Sequence, residues 1–157
     1  MKEVYILASS RTAIGAFQGS LKDIPAPKLG AKAIEDAVKK AGIQKGDIDE
    51  VLMGNVLTAG LGQAPARQAA IFAGLPTSVR CTAINRVCGS GLKTVMFGTQ
   101  MIQTGDCEVV VAGGQESMSR APYLLERARE GYRLGNSKII DSMVNDGLWD
   151  IHQNFLV

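Results

Sequence analysis

Apolar residues along this chain alternate between short continuous runs and longer stretches in which they recur every three or four positions. The first run, Val4–Ala8, reads as a buried strand. Pro25 and Pro27 then introduce a helical stripe of Leu29, Ala33, Ile34, Ala37, Val38 and Ala41, with Lys32, Asp36, Lys39 and Lys40 largely outside it and Gly42 as its stop. Glu50–Val56 is a second strand built on Val51, Leu52 and Met53. Pro65 suits the first turn of a helix over Ala66–Ala73, which Gly74 and Pro76 close. Arg80–Asn85 is a β-branched third strand. Leu92, Val95, Met96, Thr99 and Ile102 form the stripe of a helix over Gly91–Thr104 that stops at Gly105. Glu108–Ala112 is a fourth strand, continuously apolar at Val109, Val110 and Val111, as a strand covered on both faces should be. The order β-α-β-α-β-α-β predicts an α/β fold, a mainly parallel sheet with helices on both faces.

After Gly113-Gly114 the pattern changes. Ser117–Tyr123 is polar and holds Pro122, Leu124–Arg129 allows one or two helical turns, and Gly131–Asn136 reads as a loop or small hairpin. Ile139, Ile140 and Met143 predict a further short buried piece. Such an excursion after a core strand suits a region that covers a site or mediates assembly.

Composition narrows the classes. At 157 residues the chain is the size of one domain and can bury a sizeable core. Apolar content of 46% and charge of 20% are ordinary for a globular protein. A formal charge of +2 with scattered Lys and Arg gives no nucleic-acid footprint, and no apolar run approaches a membrane span. The first residues, Met1–Leu7, read as strand and not as a signal peptide. Three cysteines make no disulfide framework, so the expected home is a reducing cytoplasm. One histidine and no paired Cys motif leave no expected metal site.

The candidate chemistry lies in Asn85-Arg86-Val87-Cys88-Gly89-Ser90-Gly91-Leu92-Lys93. Cys88 falls between a strand and the N-terminal end of a helix, a setting where free backbone N–H groups and the helix dipole favour a thiolate. Gly89 and Gly91 permit a tight turn and a bare backbone beside a substrate. Spacing by itself favours the plainer reading, a cysteine packed as a small hydrophobe. Cys81 and Cys107, placed in strands, are expected to be inert packing residues. Arg67 reads as fixing a loop or subunit contact more readily than binding substrate. Arg120, Arg127, Arg129 and Arg133 read as a solvated face more readily than a phosphate site.

The stretch Asn85–Lys93 resembles the signature around the nucleophilic cysteine of the thiolases. Further segments are similar to that family in the same order: Arg11-Thr12-Ala13-Ile14-Gly15, Gly54-Asn55-Val56, Gly62-Gln63 with Pro65-Ala66-Arg67-Gln68, Ala112-Gly113-Gly114-Gln115-Glu116-Ser117-Met118-Ser119, and Asp146-Gly147-Leu148-Trp149-Asp150. The resemblance implies a thiolase-like N-terminal half, incomplete, with residues 1–116 as the α/β core and 117–157 as the start of an inserted loop domain. The family's fifth strand of this half follows that insertion. An exposed apolar surface and an unpaired strand edge are therefore expected here.

The resemblance also implies a reaction. Cys88 would attack the carbonyl of an acyl-CoA thioester and hold the acyl group while a second acyl-CoA condenses with it. The reverse is thiolytic cleavage of a 3-ketoacyl-CoA. Coenzyme A thioesters are then substrates, no cofactor is permanently bound, and family members are dimers or tetramers. Gly131–Gly135 and Asp146–Asp150 are similar to short-chain biosynthetic members that condense two acetyl-CoA. The alternatives are a 3-ketoacyl-CoA thiolase of fatty-acid β-oxidation and an inactive N-terminal fragment that only folds and associates. The family's catalytic Gly-His-Pro and Cys-Gly-Gly-Gly motifs do not occur in these 157 residues, and the sole histidine, His152, matches neither. Residues that hold coenzyme A are not assigned. Leu156-Val157 stands where many members carry His-Met-Gly, and Ala64 where Asn is usual.

Overall fold

The computed structural model describes residues 2–156, so Met1, where the first strand reading begins, and Val157 lie outside it. Its centre is a three-stranded parallel sheet in the order β2-β1-β3, with β1 Glu50–Gly54, β2 Arg80–Ile84 and β3 Val110–Gly114. Glu50 pairs with Arg80 on one side and Val110 on the other, and Gly54 ends level with Ile84 and Gly114. Three strand ends therefore meet at one edge of the sheet.

Helices α1 (Ala26–Ala41) and α2 (Pro65–Phe72) cover one face, and α3 (Ser90–Thr104) covers the other. Pro27 and Pro65 occupy first turns, where a missing N–H costs nothing. Gly42 and Gly105 end α1 and α3 in the left-handed conformation at φ 67° and 86°. On the α1/α2 face Ile34, Val38, Val51, Met53, Ala69 and Val79 form one buried cluster. Each large side chain buried there contributes about 1.5–3 kcal/mol.

The α3 face is built differently. Of the stripe Leu92, Val95, Met96, Thr99 and Ile102, which periodicity marks as a buried face, the first three are exposed and Thr99 and Ile102 are only partly buried. The buried face of α3 is Ser90, Thr94 and Gly98, spaced by four. Thr94 is fully buried, with its Oγ1 2.7 Å from the Gly91 carbonyl oxygen and 3.0 Å from that of Gly113. A Cβ on Gly98 would lie 3.1 Å from Val110 Cγ1. Small residues let the helix axis approach the sheet closely, and the apolar stripe is left pointing away.

Val4–Ala8 departs from its expected strand. It forms no ladder, and Tyr5, Ile6 and Leu7 are exposed. A cavity of about 380 Å³, lined by Val4–Ser10, by Val109–Gly114 and by Val95, Thr99 and Ile102 of α3, adjoins it. A strand needs a neighbour for its N–H and C=O groups, and no described segment pairs with this one. The sheet accordingly holds three strands, and the α/β fold with helices on both faces stands.

Beyond Glu116 the chain leaves the sheet. A 3₁₀ turn at Met118–Arg120 is tied to the N-terminal loop, since the Gln18 N–H donates to Ser119 Oγ at 2.8 Å and Ser117 Oγ to the Ile24 carbonyl at 3.0 Å. Two short antiparallel ladders follow, β4 (Tyr123–Leu124) with β5 (Ile140–Asp141) and β6 (Trp149–Asp150) with β7 (Phe155–Leu156). A π-type turn over Val144–Leu148 precedes β6. Leu124–Arg129 is not helical: residues 125–130 are exposed, and a turn of helix with no face to bury does not hold. Gly131–Asn136 is a loop, as expected, and Ile140 is partly buried while Ile139 is exposed.

Candidate active site

The turn Asn85–Gly89 joins β2 to α3 and carries Cys88 at its tip, exposed. The joint is short because several groups hold it. Asn85 Oδ1 accepts the Val87 N–H at 3.0 Å, two residues on, in the turn that an Asn side chain characteristically makes. The Gly89 N–H donates to the Arg86 carbonyl at 3.1 Å, and the Ser90 N–H to the Val87 carbonyl at 3.1 Å. Ser90, first residue of α3 and 5% exposed, accepts the Arg86 N–H at 2.8 Å and donates its own proton to the Val87 carbonyl at 2.6 Å.

Val87 takes φ 46°, the left-handed region. For a β-branched side chain this costs roughly 1–3 kcal/mol and persists only where surrounding bonds force it. Both of its backbone polar groups are bonded within the turn. Beyond the turn, the N–H groups of Cys88, Gly91 and Leu92 have no hydrogen-bond acceptor among the described residues. These are the orphan donors of a helix N-terminus, one of them on Cys88 itself.

The floor beneath the turn is glycine. A Cβ on Gly54, at the end of β1, would lie 2.7–2.8 Å from Ser90 and Gly91 backbone atoms, and one on Gly114 would lie 3.5 Å from Gly91 Cα. The first turn of α3 thus rests directly on two strand ends. Glu116 ties those ends together. Its carboxylate accepts Asn55 Nδ2 at 2.7 Å and the N–H groups of Val56 and Leu57 at 2.8 and 3.2 Å. Burial pushes its pKa up from the usual carboxylate value, and those three donors pull it partly back. The Gln115 N–H donates to the Gly54 carbonyl at 2.9 Å, and the Asn55 N–H to the Ile84 carbonyl at 3.0 Å.

Of the other candidates, Arg67 fixes a loop: its guanidinium donates to the Val79 and Thr77 carbonyls at 3.0 and 2.8 Å. Cys107 is buried just before β3, not in it, with Arg80 Nη2 3.1 Å from its sulfur, and burial raises its pKa. Cys81 lies in β2, partly buried, and its pKa is likewise raised by burial. Arg120, Arg127, Arg129 and Arg133 are exposed; Arg120 reaches the Asp23 carbonyl at 3.5 Å and Arg127 pairs with Glu130 at 3.7 Å. His152 is exposed, and among the described residues no cluster of His, Cys, Asp or Glu could hold a metal. Ala64, before α2, takes φ 47°, which explains an Asn preference there, since Asn tolerates that region far better than Ala. Asn85 and Ser90 fall inside the motif read from sequence, but their clamping roles show only in the folded turn. Glu116 likewise falls inside a family-like segment, Ala112–Ser119, two residues past the end of a parallel strand, but its bonds to residues 55–57 show only in the fold.

Comparison with known proteins identifies the family of this fold. The model of the thiolase N-terminal domain matches residues 4–157, and the chain belongs to the thiolase family. It is 56% identical over 155 residues to an acetyl-CoA acetyltransferase of Pseudomonas aeruginosa, covering 99% of this chain and 39% of that protein. Acetyl-CoA acetyltransferase 2 of Arabidopsis thaliana is 52% identical over 98% of this chain and 38% of its own. The crystal structure of Acat5 thiolase from Ascaris suum in complex with coenzyme A superimposes with a TM-score of 0.94 at 40% identity, covering 99% of this chain and 40% of that one. The chain thus spans about two fifths of the length of these relatives.

Proposed function

We propose that this chain supplies the acyl-accepting cysteine of a thiolase-type acyl-CoA acyltransferase acting on acetyl-CoA. The observation that carries the reading is the exposed Cys88 just before α3, in a turn whose Cys88, Gly91 and Leu92 N–H groups find no acceptor among the described residues. Its thiolate attacks the thioester carbonyl. A C–S bond forms, and the carbonyl electron pair moves to oxygen, where the Cys88 N–H can donate to the oxyanion. Collapse breaks the original C–S bond and releases coenzyme A, leaving acetyl-Cys88 for a second acetyl-CoA. The acetyltransferase relatives favour acetyl over longer chains.

Residues 1–116 form the core of that site, and 117–157 begin a separate covering region. Between Val4–Ser10 and β3 there is room for one more strand from further chain, which would pair with both. The exposed edge of β2 suits association with a second copy. No described helix is long and apolar enough to cross a membrane, and three free cysteines suit a reducing cytoplasm.

Intact mass after incubation with acetyl-CoA tests the reading. One acetyl adduct that hydroxylamine removes, absent in Cys88→Ala, is expected. No adduct on the wild-type chain would leave it the inactive, associating role.

A further inference from the structure

We propose that the Ser90 hydroxyl is a positioning group, which clamps the Val87–Cys88 peptide plane so that the Cys88 N–H faces the reacting carbonyl. The inference rests on the acyl-transfer reading above and adds how the oxyanion donor is aimed. A trans peptide unit carries its C=O and N–H on opposite sides of one plane. The Val87 C=O is drawn toward α3 by two donors of one residue, the Ser90 hydroxyl at 2.6 Å and the Ser90 N–H at 3.1 Å. The Cys88 N–H must then point the other way, out of the protein, where no described group accepts it.

The hydroxyl has no freedom to do otherwise. The Arg86 N–H donates to Ser90 Oγ at 2.8 Å, so the Ser90 proton is directed to the Val87 carbonyl. Ser90 is also buried, so water does not replace it easily. Against the clamp works the strain of Val87 at φ 46°. Release of Val87 to ordinary β-region backbone would rotate the same plane and turn the Cys88 N–H away. Clamp and strain are thus opposed, which makes the idea separable from simple packing.

The test compares two reactions of Cys88 in the 157-residue chain, read by peptide mass. Acylation by acetyl-CoA passes through an oxyanion, whereas alkylation by iodoacetamide does not. Ser90→Ala should slow acylation about tenfold or more, as loss of an oxyanion donor does, and leave alkylation within about twofold. Adding Val87→Gly removes the force that rotates the plane, so the double variant Ser90→Ala/Val87→Gly should recover most of the lost acylation. Val87→Gly alone should melt no lower, because glycine accepts φ 46° without strain.

An unchanged acylation-to-alkylation ratio in Ser90→Ala overturns the clamp, as does an equal fall in both rates or a double variant that recovers nothing. Should Ser90→Ala fail to fold, Val87→Gly still decides: a lowered ratio there means that the Val87 side chain, not Ser90, sets the plane. A wild-type ratio no higher than that of glutathione would overturn the acyl-transfer reading itself and the clamp with it.

Discussion

The two faces of the sheet use the same kinds of residue and reach opposite results. On the α1/α2 face the apolar stripe turns inward, and Ile34, Val38, Val51 and Met53 are nearly inaccessible. On the α3 face the stripe turns outward, leaving Leu92 69% and Met96 47% exposed while Ser90, Thr94 and Gly98 face the strands. A periodic apolar stripe therefore says that a helix has a face to bury, and not which neighbour buries it. The closed face holds the fold together. The open face brings a helix N-terminus close to the strand ends, where the Cys88 turn sits, and it leaves apolar surface exposed.

The largest test of that contrast is Met53→Ala, which empties a fully buried site on the closed face. It should cost about 2–5 kcal/mol, seen as a large drop in thermal midpoint or no cooperative melt at all. A loss under about 1 kcal/mol would mean that the closed face is not the main core. Gly54→Ala strikes the contact between the faces. A Cβ there meets α3 backbone at 2.7–2.8 Å, so the helix start must shift. The expected cost is about 1–3 kcal/mol, with slower acylation of Cys88 in the same samples. Unchanged stability and acylation would show that the glycine floor is not needed.

Ala64→Gly relieves a left-handed alanine and should stabilise by about 1 kcal/mol. A calorimetric midpoint about 2–4 °C higher is expected for a chain of this size.

The two ends of the sheet should titrate in opposite senses. The Glu108 and Val109 N–H groups bind Asp49 at 2.7 and 3.0 Å and lower its pKa. Its contribution is present above the ordinary Asp value and is lost as pH falls through the folded one. Glu116 is raised, so its contribution is present below the ordinary Glu value and is lost as pH rises through the folded one. Urea melts across pH 3–7 should show Asp49→Asn weakening the acid-side loss and Glu116→Gln removing the decline above the ordinary Glu value. Identical pH profiles for all three proteins would refute both assignments.

The smallest effect is expected on the open face. Leu92→Ser with Met96→Ser should change stability by no more than about 0.5 kcal/mol while reducing self-association on size-exclusion. A larger loss would mean that those side chains are already packed in solution. A monodisperse wild-type monomer would show that neither the open face nor the β2 edge drives assembly.

The amino-acid order by itself determined the alternation of helices and strands from Pro25 to Gly114, because each element carries its own period and its own stops, such as Gly42 and Gly105. It also placed Cys88 at a strand–helix joint, since that needs only local pattern and family motifs. What tertiary structure decided is everything that depends on a second segment. Val4–Ala8 has the composition of a strand and is not one, because a ladder requires a partner at its edge. α3 hides its small residues because the strand ends beneath it are glycines that let it approach. Val87 carries strain no sequence pattern reveals, because its conformation is imposed by Asn85 and Ser90 together. Glu116 binds backbone 60 residues away, a pairing fixed only by strand register.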